Sequence, residues 1–197
     1  MTVSNMMNGR AKRMKKVTDT VLIPLFTALT AVGAFIKIPV PHVPFTLQTL
    51  MVMFAGLILG SRRGALCQLL YLILGLMGLP IFAQGGGPAY VLQPSFGFLL
   101  GFIPGAFVIG KILEDSKNLA LPKVVTALVL GQGVIYLFGL SYLYLNLNFI
   151  LHKPVSPYAV LMAGFLIFLP GDILKTAIAA LVMAPIRHRL LSRINNN

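Results

Sequence analysis

The segment FLPGDILKTAIAALV, Phe168 to Val182, places an aspartate and a lysine three positions apart inside an otherwise apolar run. A charge at the centre of a membrane helix costs roughly 2.5–3.5 kcal/mol on insertion scales, so such a pair needs a reason to persist. Positions i and i+3 share one helix face, and Asp172 and Lys175 therefore point into one space. A mutual ion pair would lower the cost of both, yet two leucines would remove that cost altogether. A carboxylate that accepts and an ammonium that donates suit a small ligand with N–H beside C=O, or one carrying its own carboxylate. Pro170 lacks a backbone donor and Gly171 loosens the helix, which frees backbone groups beside the pair.

The rest of the chain supplies the bilayer. At 57% hydrophobic and 10% charged residues, with mean hydropathy +0.89, there is too little polar surface to coat a soluble globule of 197 residues. With about 20 apolar residues needed per crossing, six transmembrane helices are expected near 18–37, 46–60, 64–80, 94–112, 122–145 and 159–184. The expected fold is an all-α integral membrane protein, a single domain over 1–197 with basic tails at 1–16 and 185–197. The apolar stretch Val17 to Ile38 is too long for the core of a typical signal peptide and ends without a small-x-small cleavage site.

Charge tests the count. With the N-terminus cytoplasmic, the inner segments collect Arg10, Lys12, Arg13, Lys15, Lys16, Arg62, Arg63, Lys111, Lys117, Lys123, Arg187, Arg189 and Arg193. Lys37 and Lys153 fall outside and Lys175 within a span, so both termini are expected in the cytoplasm of a multi-pass cell-membrane protein. The net charge of +12 sits at span ends in contact with the lipid bilayer, and nucleic acid is not an expected partner.

Two connections differ from the rest. KIPVPHVPFTLQ, Lys37 to Gln48, holds three prolines that enforce an extended path, and LPIFAQGGGPAYVLQP, Leu79 to Pro94, is uncharged with three consecutive glycines. The second is expected to fold back over the protein as a lid. FIPGA at 102–106 and FLPGD at 168–172 echo one another, and a Pro-Gly pair in each is expected to interrupt or bend its helix beside a cavity.

Catalysis is not expected. The chain has no phosphate-binding loop, no G-x-S-x-G elbow, and one carboxylate in a span where an intramembrane aspartyl protease needs two. His42, His152 and His188 are scattered, so no metal site or cofactor is expected, and the single cysteine, Cys67, packs as a small apolar residue.

VPFTLQTL (Val43 to Leu50), LGSRRGALCQLLYLILGLMGLPIFA (Leu59 to Ala83), GGG followed by QPSFGFLLGF (Gln93 to Phe102), and PGDILK (Pro170 to Lys175) together resemble the BioY family. Its members are biotin-binding S components of energy-coupling factor (ECF) transporters. The resemblance implies a six-helix S component that holds biotin under its outer loops, powered by a T component and two ATPase subunits. It also implies that Asp172 and Lys175 bind biotin, whose cyclic urea sets N–H beside C=O and whose side chain ends in a carboxylate. Asp172 is expected to accept from a urea N–H, and Lys175 to meet either the urea oxygen or the carboxylate. Where the family typically has G-P-T-G-G-Y, this chain has Gln93 to Phe98, so position 98 carries no hydroxyl.

Further substrate contacts are expected from Gln48, at the mouth of a span, and from Tyr71, facing either the cavity or a neighbouring helix. Tyr90, either a lid ring or an interfacial anchor, and Gln84 complete the set. The family's Ala-x-x-x-Ala face for the T component corresponds to Thr27 and Ala31, with Thr30 and Ala34 beside them, and ordinary packing within the chain explains this spacing as well. The alternative is a self-sufficient carrier driven by an ion gradient, with Asp172 as the coupling site.

Overall fold

The computed structural model describes residues 20–114 and 120–195, with side chains to residue 182. Helix α1 runs over Thr20–Phe35. A two-stranded antiparallel hairpin follows, β1 (Lys37–Ile38) and β2 (Phe45–Thr46), in the register Lys37 to Thr46 and Ile38 to Phe45. The three prolines of this segment lie outside the paired residues, as a residue without an N–H requires.

Helix α2 (Gln48–Leu59) meets α3 (Ser61–Leu76) across one residue, Gly60, whose φ of 80° is open to glycine at little cost. The exposed amides of that helix start are met by Glu114, which accepts from Ser61 N at 2.8 Å and Ser61 Oγ at 2.7 Å. A loop containing a short 3₁₀ turn (Pro88–Leu92) leads to α4 (Phe96–Glu114). Helix α5 (Leu121–Leu145) continues into a π turn (Asn146–Ile150). Helix α6 (Pro157–Leu161) is capped by the Ser156 hydroxyl, runs into a second π turn (Met162–Leu166), and joins α7 (Leu169–Asn195) through a bend of 40°.

Among the described residues two helical segments, Phe96–Glu114 and Leu121–Ile150, are long and apolar enough to cross a bilayer, and the bent segment ending at Val182 makes a third. Helices α1 and α2, with 16 and 12 residues, are apolar but shorter than the roughly 20 residues of a full crossing.

Two expectations are corrected here. Pro104 does not interrupt α4, which runs unbroken past it. Pro170 does coincide with an interruption: it sits in the first turn of α7, and the 40° break lies one turn upstream between Leu166 and Leu169, where a proline ring excludes the carbonyl four residues back. The pair Thr27 and Ala31 also fails to form an outward stripe. Thr27 is 4% exposed and its hydroxyl is shared between the carbonyls of Ile23 and Cys67, so it faces α3, while Ala31 packs against the core.

The most extensive helix contact, α4 on α5, is set by sequence. Gly97, Gly101 and Gly105 stand four apart on α4 and face Tyr142, Phe138, Ile135 and Gly131 of α5 with no room for a side chain. Small residues at this spacing let two backbones approach closely, and in a bilayer such packing replaces the hydrophobic drive between helices.

Candidate ligand-binding cavity

The hairpin and the α3–α4 loop lie together at one end of the bundle. Lys37 donates to the carbonyl of Ala83, linking the two. The loop is fixed at further points: Tyr71 donates to Ile81 O at 2.8 Å, Asn146 donates to Leu92 O at 2.8 Å, and the Tyr142 hydroxyl donates to Val91 O. Phe82 packs its ring on Gly75 of α3, which leaves the space by having no side chain, and touches Tyr71 and Tyr90 edgewise or tilted. The Tyr90 ring is buried, its hydroxyl 3.3 Å from Ser95 Oγ, and burial pushes its phenol above the ordinary value despite the Ser95 contact. The apolar glycine-rich segment is thus an ordered cover.

Beneath it lies a small cavity of about 50 Å³, room for a few waters. Asp172 and Lys175, 5% and 4% exposed, form its charged wall with Nζ to Oδ1 at 2.9 Å. Asp172 Oδ2 accepts from Gln132 Nε2 at 3.0 Å and from the Tyr136 hydroxyl, both on α5. Lys175 donates to Thr49 Oγ1 at 2.8 Å and lies 3.8 Å from the centre of the Phe45 ring. Phe45, on β2, stacks on Phe168 with ring centres 5.9 Å apart and fills the space over Gly171. The hairpin therefore covers the ion pair with an aromatic ring whose negative face suits the ammonium. Phe98, Leu99 and Phe102 of α4 complete an apolar wall.

The structure brings Asp172, Lys175, Gln48 and Tyr90 to one cavity. Tyr71 stands behind them. Its hydroxyl accepts from Gln48 Nε2 at 2.7 Å, while Gln48 Oε1 accepts from Thr46 at 3.0 Å, a chain joining hairpin, α2, α3 and loop. Tyr71→Phe is expected to cost about 1–3 kcal/mol of stability by leaving Gln48 Nε2 and the Ile81 carbonyl unpaired. Thermal melting of the purified variant measures it. Gln84 does not line the cavity: it lies exposed at the tip of the loop, where Gly85 at φ 117° and Gly87 at φ 95° set the turn.

Sequence reasoning missed Gln132, Tyr136, Thr49 and Phe45. A glutamine and a tyrosine four apart in an apolar span share a face, and that was the available signal for the first two. Gln132, Tyr136 and Asp172 also form one side of a second, larger groove of about 720 Å³ between α5 and the α6–α7 segment. That groove is otherwise lined mainly by apolar side chains such as Val129, Leu137 and Phe165.

The BioY family profile matches residues 6–192. A relative in Lysinibacillus sphaericus, a probable biotin transporter BioY, is 43% identical over 170 residues, covering 86% of this chain and 87% of its own. The biotin transporter BioY of Thermotoga maritima is 42% identical over 159 residues, 80% of this chain and 89% of that one. The 2.1 Å crystal structure of the S component for biotin from an ECF-type ABC transporter superposes with a TM-score of 0.75 at 28% identity. It covers 88% of this chain and 93% of its own.

Proposed function

The chain is a member of the BioY family, and we propose that it captures biotin at the cavity under its loops as the S component of an ECF transporter. It is a multi-pass protein of the cell membrane and a transport subunit. The observation that carries the reading is the buried Asp172–Lys175 pair on the wall of a covered cavity otherwise lined largely by aromatic and aliphatic side chains.

Biotin matches that wall group for group. Asp172 accepts from a urea N–H, and Lys175 exchanges its contact with Thr49 for an oxygen of the ligand. Gln48, held in place by Tyr71, and Tyr90 supply further polar contacts, and Phe45, Phe98 and Phe168 cover the sulfur-containing ring. Entry requires Phe45 to withdraw, because the cavity holds only a few waters with the ring in place.

Six crossings with both ends in the cytoplasm remain our topology, supported by the basic residues gathered in the inner segments. The shorter helices α1 to α3 cross by packing against α4 and by local thinning of the bilayer. A separate T component and two ATPase subunits supply the energy, which fits a sequence without a phosphate-binding loop.

Calorimetric titration of the purified protein tests the reading. Biotin and desthiobiotin, which keep the cyclic urea, are expected to bind, and thiamine is not. A folded sample that takes up no biotin would sink it.

A further inference from the structure

Among the described residues three buried side-chain polar atoms lack a hydrogen-bond partner, and one of them, Gln132 Oε1, belongs to a residue of the cavity wall. Its orientation is not free. Asp172, paired with Lys175, offers only acceptors, so the Gln132 amide must turn its nitrogen to Oδ2, as it does at 3.0 Å. Turning the amide over would set oxygen against oxygen. The carbonyl end is thereby held away from the carboxylate.

The neighbouring donors are engaged elsewhere. The Tyr136 hydroxyl is given to Asp172, the Thr176 hydroxyl to the Asp172 carbonyl at 2.7 Å, and Lys175 to Asp172 and Thr49. A buried acceptor without a donor destabilises the empty protein, and a ligand N–H that meets it relieves that cost on binding.

We propose that Gln132 is a further ligand contact, its Oε1 accepting from the second urea N–H while Asp172 accepts from the first. The inference rests on the biotin reading given above. It makes the wall a pair of acceptors, one charged and one neutral, whose arrangement is fixed before the ligand arrives. It also assigns specificity: a ring with one N–H leaves Gln132 as costly as it is in the empty protein.

The test is a binding cycle. Wild type and Gln132→Met are titrated with biotin and with two carbamate analogues, in each of which one urea N–H is replaced by oxygen. Gln132→Met is expected to weaken biotin about tenfold. One of the two analogues, weakened about tenfold in the wild type, is expected to bind the variant no worse than the wild type. Melting of the unliganded variant checks that it folds, since Met removes the donor to Asp172 Oδ2 together with the unpaired acceptor and the two losses oppose one another. Gln132→Ala, which cannot clash, repeats the comparison. An unchanged biotin affinity overturns the contact, and so does an equal loss for biotin and both analogues, which would mean that Gln132 acts only through Asp172. A wild type that binds no biotin overturns the functional reading and this contact together.

Discussion

Asp172→Ala is expected to lower stability by about 3–5 kcal/mol and to remove biotin binding, whereas Asp172→Leu with Lys175→Met is expected to restore stability without restoring binding. The single variant strands the Lys175 ammonium beside apolar and aromatic side chains, with Thr49 as its remaining hydrogen-bond partner among the described residues. It also frees Gln132 Nε2 and the Tyr136 hydroxyl at once. The double variant removes both charges, and a buried ion pair replaced by apolar residues of similar volume is often neutral or stabilising. The lost contact to a charged acceptor alone weakens ligand about 10- to 150-fold. Melting curves and titrations on the same samples separate the two effects. A double variant as unstable as the single one would show that the pair holds the fold as well as the ligand.

The second large effect lies away from the cavity. A Cβ on Gly101 would stand 2.9 Å from both Ile135 Cα and Ile135 O, which are backbone atoms unable to swing aside. Gly101→Leu is therefore expected to drive α4 from α5 at a cost of about 1–3 kcal/mol or more. Because α5 also carries Gln132 and Tyr136, the displacement should weaken biotin as well. Gly133 is the control. It lies on α5 with nothing within 4 Å of a built Cβ, so Gly133→Ala should stabilise the helix by up to about 1 kcal/mol. Melting of the two variants in one detergent decides it, and similar losses at both positions would refute the close-packing account.

The charged pair of the candidate site was legible because charges in an apolar run are costly exceptions. Spacing of three put Asp172 and Lys175 on one face, and they meet at 2.9 Å. Gln132 and Tyr136 were not singled out because neutral polar side chains barely disturb the hydropathy of a span, and many such residues satisfy only their own helix. Phe45 and Thr49 lie within the VPFTLQTL motif, but their residue types did not mark them as partners of Lys175: those contacts arise from how the hairpin and α2 lie over α7. The extended path from Lys37 to Gln48 was legible from its prolines, but its pairing into a hairpin was not. Nor was the effect of each Pro-Gly pair, since a proline bends a helix or spares it according to what its neighbours supply. Pro104 sits in a helix braced by the α4–α5 glycine contact, and Pro170 sits where a helix begins. Spacing alone left Thr27 open to a partner face or to packing within the chain, and its hydroxyl bonds the carbonyl of a neighbouring helix.

The 40° break before α7 has a mechanical consequence. Asp172 and Lys175 both stand within the first two turns after it, while Thr49, Gln132 and Tyr136 belong to α2 and α5. The glycine stripe packs α5 closely on α4, so a change of angle at the break would move α7 relative to both. A small rotation there acts on a lever arm and withdraws both charged groups from their three partners in one stroke. Grip on a ligand would then depend on a single angle rather than on separate movements of each contact.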